Sequence, residues 1–365
     1  MTIGIDASKL AVAAKTGVEW YVHHLLKAMM AVPSAHSFRL YTKERIEIEF
    51  PSDWREKKIR WPLPFFWTQG GLSLEMLLHP PDLLFAPSSA LPVVLPGRCI
   101  TTIHDVGFLN ERKYRSAKEL RYLEWSTRRA VTRASHIITV SEFSRNELIA
   151  IFGADEDRVT AVPLAAIQPP ELSSDQILSI RKKYNVSRPY LVFVSRIDSR
   201  KNVDGVISAF ELLKEKGVYD GDLLLVGPLG YDGADIVARS EKSRHAVSIR
   251  HVGWISEREK FALLSAADVF VFPSHYEGFG MVVLEAQSVG VPVVCSQTTS
   301  MPEVAGDAAV FVDPLKSESI AEGIMRVLDD EEYRHTLIAR GYKNCSGFSW
   351  EHTARSTLSL IDSLL

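Results

Sequence analysis

Two glutamates stand eight positions apart in the stretch SHYEGFGMVVLEAQSVG, residues 274–290. Glu277 precedes a Gly-Phe-Gly turn, whose flexible backbone can present N–H groups at a helix N-terminus. Glu285 follows the run MVVL, which is apolar on every side of a helix, so its carboxylate is expected to be buried and to need hydrogen-bond donors. Ribose hydroxyls of a nucleotide, a backbone cap or an arginine would each supply them. The alternative is structural: an acid at the helix N-terminus that interacts favourably with the helix dipole, together with a buried pair.

A cluster of cations follows a predicted strand in VFVSRIDSRKNV, residues 192–203. Arg196, Arg200 and Lys201 all precede the next predicted helix. Cations at a helix N-terminus have the wrong sign for the helix dipole. An anion shared between them, such as a diphosphate, would explain their position, and a solvated basic loop is the alternative.

Polar or flexible residues also follow predicted strands in the N-terminal half. His104 and Asp105 come directly after the apolar strand CITTI, where a histidine can form hydrogen bonds or act as an acid or base. Such a pair is more often structural than catalytic. Gly17 begins a helix after the loop from the first strand, so its N–H can approach a phosphate. No G-x-G-x-x-G follows a strand, and no P-loop motif occurs. H-E-x-x-H and G-x-S-x-G are also absent from the sequence, which removes the main support for a zinc peptidase or an α/β-hydrolase.

The tripeptide Asp220-Gly221-Asp222 has the D-x-D pattern that ligates a diphosphate-bound metal in some sugar-transfer enzymes. Here it precedes a predicted strand at Leu223–Val226, at the end of the sheet away from the expected ligand site. Asp-Gly is also a strong turn dipeptide. The sequence therefore predicts a turn at this position and no metal site.

Short apolar runs alternate with amphipathic helical segments along the chain, which predicts parallel sheets with helices on both faces. A chain of 365 residues is long for one core, and the alternation is interrupted at LAAIQPPELSSD. We predict two doubly wound α/β domains, over residues 1–168 and 188–348, joined by a linker at 169–187. Because ligands bind beyond the carboxyl ends of strands in such sheets, a central cleft between the domains is the expected site.

The bulk composition is that of a globular protein, with a net charge of −3 and three scattered cysteines. No cysteine pair has metal-ligand spacing, so a reducing compartment fits better than a disulfide framework. The N-terminal sequence lacks signal-peptide features, and no apolar run reaches the roughly 20 residues of a spanning helix. We therefore expect a cytoplasmic protein, and no nucleic acid among its partners.

Residues 112–133 carry eight cations against two carboxylates. Leu120, Leu123 and Ala130 would give this segment an apolar stripe. A basic amphipathic helix can lie on an anionic membrane, which allows peripheral contact with the inner face of the membrane. The alternative is a solvated basic face over a stripe that packs into the core.

Together these segments resemble the retaining glycosyltransferases of family four, which have the GT-B fold, and especially bacterial mannosyltransferase-like members that build cell-surface polysaccharide. The resemblance covers nearly the whole chain and is carried by TGVEWYVHHLL, TTIHDVGFL, RASHIITVSEFSRNEL, FVSRIDSRKN, HVGWIS, SHYEGFGMVVLEAQSVGVPVVCSQTTSMPEVAGDAAVFVDP and FSWEHTA. It implies transfer of a hexose, with mannose from GDP-mannose as the first expectation, from a nucleotide-diphosphate sugar to a glycan or lipid-linked acceptor. It also implies that a final helix at 349–365 packs back onto the N-terminal domain.

The resemblance assigns roles by position. Catalytic roles are implied for His104 at the donor sugar, for Arg196 and Lys201 at the leaving diphosphate, and for Glu277 at the hydroxyls of the transferred sugar. Donor-binding roles are implied for Gly17, Gly253, Trp254, Gly278, Phe279, Gly280 and Glu285, the last of these at the ribose. Many relatives have a second glycine where this chain has Glu19, which would face the acceptor with Asp105.

Paired cations stabilise a leaving diphosphate electrostatically, so the resemblance implies that neither a metal nor another cofactor is needed. Two other functions remain open at this point. A GT-B nucleotide-sugar epimerase or hydrolase would need acid–base residues at the sugar carbon and no acceptor. A non-catalytic GT-B subunit would bind a partner instead, although the intact set Arg196, Lys201, Glu277 and Glu285 argues against it.

Overall fold

The computed structural model separates into two compact units, and it describes residues 1–11, 17–46, 49–63, 65–110 and 115–365. The first unit comprises Met1–Leu164 together with Ser349–Leu365, and the second comprises Ala165–Phe348. The first unit thus ends at Leu164, a little before the predicted boundary at residue 168.

The first unit is built around parallel strands. They are β1 (Thr2–Asp6), β2 (Ser37–Thr42), β3 (Trp54–Lys58), β4 (Leu83–Ala86), β5 (Cys99–Ile103), β6 (His136–Thr139) and β7 (Val159–Ala161). In the described residues they form one sheet in the order β3-β2-β1-β4-β5-β6-β7, with every neighbouring pair parallel. Its helices are α1 (Gly17–Ala31), α2 (Ser73–Leu78), α3 (Ala117–Arg133) and α4 (Glu142–Phe152). A π-helical turn, Trp67–Leu72, leads directly into α2.

Strand β3 was not predicted, because its sequence WREKK has no apolar run. It lies at the edge of the sheet and pairs with β2 alone, so most of its side chains need not be buried. Trp54 is its buried residue, and the indole stacks on Phe38 of β2 with ring centroids 4.2 Å apart. An edge strand with charged side chains is a common way to discourage pairing with other chains.

The second unit has the same architecture. Its strands are β8 (Tyr190–Val194), β9 (Asp222–Val226), β10 (Ile249–Gly253), β11 (Val269–Phe272), β12 (Val293–Ser296) and β13 (Ala309–Val312). In the described residues they form a parallel sheet in the order β10-β9-β8-β11-β12-β13. Its helices are α5 (Ser174–Lys183), α6 (Val203–Glu215), α7 (Gly233–Ser240), α8 (Glu257–Ser265), α9 (Met281–Ser288), α10 (Met301–Ala305), α11 (Ser317–Asp329) and α12 (Glu331–Ser346). Strands β8, β9 and β11 are buried throughout, as expected for a sheet covered on both faces.

The predicted linker at 169–187 is not a simple connection, because it contains helix α5. A capping box starts this helix: the Ser173 hydroxyl accepts from the Gln176 N–H, and the Gln176 side chain accepts from the Ser173 N–H. The helix packs against α8 of the second unit, and Glu259 of α8 bonds both Lys183 and the Tyr184 hydroxyl. Sequence reasoning missed α5 because the helix is short and polar and has no periodic apolar residues.

The last helix, α13 (Trp350–Leu364), belongs to the first unit, where it packs on α1. Trp350 stacks on His24 of α1 with ring centroids 5.2 Å apart. The Thr353 hydroxyl donates to the Pro163 carbonyl at 2.7 Å. Within the described ranges, each helix is too short or too polar to span a lipid bilayer.

Candidate active site

The cationic loop after β8 is fastened to the loop after β11. Asn202 ends this loop in a left-handed conformation, with φ of 56°. Its side-chain amide donates to the carbonyls of Pro273 at 3.0 Å and Pro314 at 2.6 Å, which follow β11 and β13. The Arg200 carbonyl accepts from the His275 N–H at 3.0 Å, and an Arg200 guanidinium N–H donates to the Tyr276 carbonyl at 3.1 Å. Two segments that are far apart in sequence therefore form one fixed structure.

Within this structure Lys201 and Glu277 form a buried ion pair. The Lys201 Nζ lies 2.5 Å from the Glu277 Oε1, and only 10% and 9% of the two side chains are exposed. Burial lowers the pKa of Lys201 even though Glu277 opposes this effect, and the nearby charge of Arg200 lowers it further. Burial alone would raise the pKa of Glu277, but the charges of Lys201 and Arg200 outweigh burial and lower it. With Arg196 and Asp198 of the same loop included, the local charge is three cations against two carboxylates.

Arg196 lies on the same loop but is more accessible, with half of its side chain exposed. Its Nε donates to the Asp198 Oδ2 at 2.9 Å, and the Asp198 Oδ1 accepts from the Lys201 backbone N–H at 3.1 Å. One carboxylate therefore orients Arg196 and also caps the turn that carries Lys201. The guanidinium is held through Nε at the open side of the loop.

The turn between Glu277 and α9 is fixed from the neighbouring loop. The Ser300 hydroxyl donates to the carbonyls of Glu277 at 2.9 Å and Phe279 at 3.1 Å, and the Thr299 hydroxyl accepts from the Glu277 N–H at 3.3 Å. Gly280 has a φ of 90°, and a Cβ at this position would lie 2.3 Å from the Met301 side chain. A glycine is therefore required for the chain to enter α9. The Phe279 side chain is buried, so any contact of this residue with a donor would be through its backbone.

Glu285 lies in the middle of α9 and is 4% exposed, as its apolar surroundings predict. Its Oε2 lies 2.8 Å from the Nζ of Lys260 on α8, a partner that sequence reasoning missed. Lys260 also lies 2.6 Å from the Glu257 Oε2. Burial raises the pKa of Glu285, an effect that Lys260 partly offsets. The one available signal was a lysine directly before the buried run FALL of α8.

Gly253 and Trp254 stand at the carboxyl end of β10. Gly253 has a φ of 77° with open space where a Cβ would lie, and the Trp254 residue is 68% exposed. The predicted donor residues of this unit thus follow β8, β10 and β11, which lie in the adjacent run β10-β9-β8-β11. Since all these strands are parallel, their loops meet at one edge of the sheet, where open α/β sheets bind ligands.

In the first unit His104 follows β5 and is held as a neutral ring. Burial lowers its pKa, opposed by its contact with the Pro87 carbonyl, which lies 3.3 Å from the Nε2. A neutral ring that donates from Nε2 carries its lone pair on Nδ1, so His104 offers a hydrogen-bond acceptor. Tyr21 of α1 packs edge-on against this ring, with centroids 4.7 Å apart. Contacts within the first unit therefore fix the orientation of the His104 ring.

The other predicted residues of the first unit have mixed surroundings. Gly17 begins α1 in open space, and the loop 12–16 before it lies outside the described residues. Glu19 is 7% exposed and its Oε1 lies 3.1 Å from the Lys9 Nζ. Asp105 accepts from the Gly107 N–H at 2.9 Å and so caps the turn after β5. That contact gives Asp105 a structural role whatever its relation to an acceptor.

The D-x-D residues bind different cations at the amino end of β9. Asp220 is 95% exposed at its side chain and pairs with Arg188 at 2.5 Å and with Lys214 at 3.4 Å. Asp222 is the first residue of β9, is buried and lies 3.2 Å from Arg250. The two carboxylates thus do not converge on one point. Among the described residues, no cluster of three or more His, Cys, Asp or Glu side chains is placed to hold a metal ion.

Comparison with known families matches both units of the chain. Residues 15–165 match the family described as Glycosyltransferase Family 4, and residues 176–344 match Glycosyl transferases group 1. The chain is 35% identical over 270 residues to the O-antigen chain mannosyltransferase B of Escherichia coli, which covers 72% of this chain and 69% of the relative. It is 26% identical over 278 residues to the serotype-specific mannosyltransferase WbdA of Escherichia coli, covering 74% of this chain but 34% of that longer protein.

Solved structures confirm the predicted GT-B fold. The structure of Anabaena Alr3699/HepE in complex with UDP and glucose matches with a TM-score of 0.73 at 16% identity, and covers 99% of both chains. At that identity the likeness establishes the fold alone. The identity to the mannosyltransferase and the two family matches go further: the chain belongs to the group 1, family-four glycosyltransferases, as a mannosyltransferase-like member.

Proposed function

We propose that this glycosyltransferase moves mannose from a nucleotide-diphosphate sugar, with GDP-mannose first, to a glycan or lipid-linked acceptor in the synthesis of a cell-surface polysaccharide. The proposal includes retention of configuration at the transferred carbon and independence from metal ions. The observation that carries it is the buried Lys201–Glu277 pair beside Arg200, at the carboxyl edge of the second sheet. The mannosyltransferase relative supports the choice of sugar.

The charge balance of the reaction fits this edge of the sheet. When the C–O bond between sugar and diphosphate breaks, negative charge develops on the diphosphate. Lys201 and the half-exposed Arg196 would stabilise that charge, and preorganised electrostatic contacts of this kind supply several kcal/mol. Glu277 and Asp198 neutralise only part of the charge of Arg196, Arg200 and Lys201, so an anion remains favourable there.

The remaining contacts would hold the donor. Glu277 and the backbone of the turn 278–280 would bind hydroxyls of the sugar, with the Nδ1 of His104 accepting a further hydrogen bond. Glu285 would bind the ribose, and Gly253 with Trp254 would lie at the base. Gly17 would approach the diphosphate, and Glu19 with Asp105 would face the acceptor.

Retention follows if the acceptor attacks from the face that the diphosphate leaves. The bond from the acceptor oxygen to the sugar carbon forms as the bond from that carbon to the phosphate oxygen breaks. A phosphate oxygen of the leaving group takes the acceptor proton. This route needs no protein nucleophile, which agrees with the absence of an obvious nucleophile–base pair in the predicted site loops.

Nucleoside diphosphate release tests this function directly. The protein is incubated with GDP-mannose, UDP-glucose and other nucleotide sugars, with and without glycan or lipid-linked acceptors and with and without EDTA. We expect release that needs an acceptor, is greatest with GDP-mannose and is unchanged by EDTA. Release without acceptor would support a hydrolase or epimerase instead. Loss of activity in EDTA would contradict metal independence, and a β-anomeric product from an α-linked donor would contradict retention.

A membrane partner is the second part of the proposal, and it uses a wider surface than residues 112–133. Arg112 and Lys113 lie outside the described residues, and the stripe of Leu120, Leu123 and Ala130 packs toward the core. Large apolar side chains next to α3 are instead 39 to 60% exposed on α3, α2 and the segment before it; they include Phe65, Phe66, Leu74, Tyr122 and Trp125. We call Phe65, Phe66, Leu74, Leu77, Tyr122 and Trp125, together with the cations of α3, the apolar–basic face.

Contacts join helix α3 to the segment before α2, and α3 carries more cations than carboxylates. Gln69 donates to the Tyr122 hydroxyl at 2.8 Å, and Tyr122 and Trp125 have ring centroids 5.9 Å apart. Helix α3 carries five cations, and its two carboxylates, Glu119 and Glu124, are each paired with an arginine. Exposed apolar area beside a helix with an excess of cations fits an anionic lipid surface, where each cation near the surface contributes about 1 kcal/mol.

Vesicle flotation tests the membrane proposal. Replacing Leu74 and Leu77 by glutamate should lower the fraction bound to phosphatidylglycerol vesicles about ten-fold or more, because apolar area is lost and negative charge is added. Leu315→Glu, at an 81% exposed position of the second unit, is the matched control and should bind as wild type. Equal binding to neutral vesicles, or concentration-dependent dimerisation lost in the double variant, would contradict a lipid partner.

A further inference from the structure

The least expected contact of the site is that between Lys260 and Glu285. It joins α8 to α9 through a Nζ–Oε2 distance of 2.8 Å. Both side chains are almost wholly buried, 11% and 5% exposed. A buried carboxylate in an apolar helix needs a partner, and Lys260 is the cation that the structure places on it.

Lys260 is shared between two carboxylates. Its Nζ lies 2.6 Å from Glu257, one turn earlier on α8, as well as 2.8 Å from Glu285. Burial alone would lower the pKa of Lys260, but the two carboxylates outweigh burial and raise it. The lysine is therefore charged at neutral pH. Its contact to Glu285 uses Oε2, and the described part of the chain gives Oε1 no hydrogen-bond partner, so Oε1 is the oxygen that a ligand would use.

We infer that Lys260 is a positioning residue for the donor: it keeps Glu285 ionised and fixes one of its oxygens, so that the carboxylate can accept hydrogen bonds from the ribose. This inference rests on the proposed role of Glu285 at the ribose. It assigns no contact between Lys260 and the nucleotide itself. A carboxylate that accepts from two hydroxyls binds better when it is ionised, because a protonated oxygen no longer accepts as strongly.

The groups around Glu285 show why its ionised form depends on Lys260. On α8, Glu257 opposes the ionisation of Glu285, and burial also opposes it. On α12, the Cys345 thiol donates to the Leu284 carbonyl, and Tyr342 would meet a side chain at Gly290. The titratable residue of α10 is Glu303, and that of β12 is the buried Cys295. Lys260 is the only group among those acting on the pKa of Glu285 in the described residues that favours its charged form.

The pH dependence of nucleotide binding tests the inference. Calorimetry with GDP and UDP gives Kd between pH 6 and pH 9 for wild type, Lys260→Met, Lys260→Arg and Glu285→Gln. In Lys260→Met the pKa of Glu285 should rise further, so binding should weaken as pH falls, by up to about ten-fold per pH unit below that pKa. Lys260→Arg should keep the binding of wild type over the same range. Lys260→Met should raise the KM for the donor much more than it lowers kcat.

Lys183→Met is the matched control, because it removes another lysine that pairs with a glutamate of α8 and should change neither Kd nor its pH dependence. Melting temperatures show whether each variant is folded. If Glu285→Gln binds nucleotide like wild type, the ribose assignment itself is wrong. If Glu285→Gln binds weakly while folded Lys260→Met binds like wild type at every pH, the role of Lys260 is wrong and the proposed function stands.

Discussion

Replacing Lys201 by methionine should lower kcat by about a hundred- to a thousand-fold, the usual loss when one preorganised electrostatic contact to a developing charge is removed. The lysine is buried, lies 2.5 Å from Glu277 and stands beside Arg200, so water cannot easily take its place. The KM for the donor should change less, because charge on the diphosphate grows as the bond breaks. Steady-state kinetics with GDP-mannose and acceptor measure both values.

Folding must be separated from catalysis in this variant. Lys201→Met leaves Glu277 buried without its partner, and breaking a buried pair costs about 3–5 kcal/mol of stability. The double variant Lys201→Met with Glu277→Gln removes both charges, and should regain much of the melting temperature while staying inactive. Lys57→Met removes one of the two partners of buried Glu75 described in the first unit, the other being His79, and should keep kcat. A folded Lys201→Met enzyme with wild-type turnover would contradict the leaving-group role.

Arg196→Ala should show a smaller loss than Lys201→Met. Half of the Arg196 side chain is exposed, so solvent already weakens its field at the diphosphate.

Much of this site was predictable because a parallel sheet places the carboxyl ends of its strands together. Arg196, Lys201 and Glu277 each follow an apolar run that is recognisable as a strand in the sequence, so a common edge could be inferred without coordinates. The pairing of Lys201 with Glu277 could not, since their side chains meet only after β8 and β11 become neighbours. Sequence reasoning assigned Lys201 to the diphosphate and Glu277 to the sugar, and did not predict that the two side chains form an ion pair.

The features that sequence reasoning missed have one physical cause in common. Each depends on tertiary contacts and not on the periodic spacing of apolar residues in the sequence. Lys260 is one of several charged residues on α8, and its contact to α9 fixes it as a buried cation. Strand β3 is polar because it needs to pair on one side only. Helix α5 had a local signal, the Ser173–Gln176 capping box, but its side chains are too polar to give an apolar stripe.

Replacing Glu277 by glutamine should lower kcat by about a hundred-fold or more and also change its pH dependence. The carboxylate raises the pKa of Lys201, while burial and Arg200 lower it. Without the carboxylate the pKa of Lys201 falls further, so the lysine loses its charge at a lower pH. The alkaline limb of the pH–kcat profile should therefore move to lower pH, and activity should fall as pH rises through a range where the wild type is still active.

The matched control is Glu75→Gln, which removes a buried carboxylate paired with Lys57 at 2.6 Å in the first unit. Glu277→Gln should lower the melting temperature because it leaves the buried Lys201 without its anion. Glu75→Gln should lower it less, because water can solvate Lys57, whose side chain is 38% exposed. Only Glu277→Gln should move the alkaline limb, since Glu277, unlike Glu75, stands beside a cation assigned to the diphosphate. If Glu277→Gln loses much of its kcat but the alkaline limb of the pH–kcat profile does not move, Glu277 contacts only the sugar. Its charge then does not support Lys201.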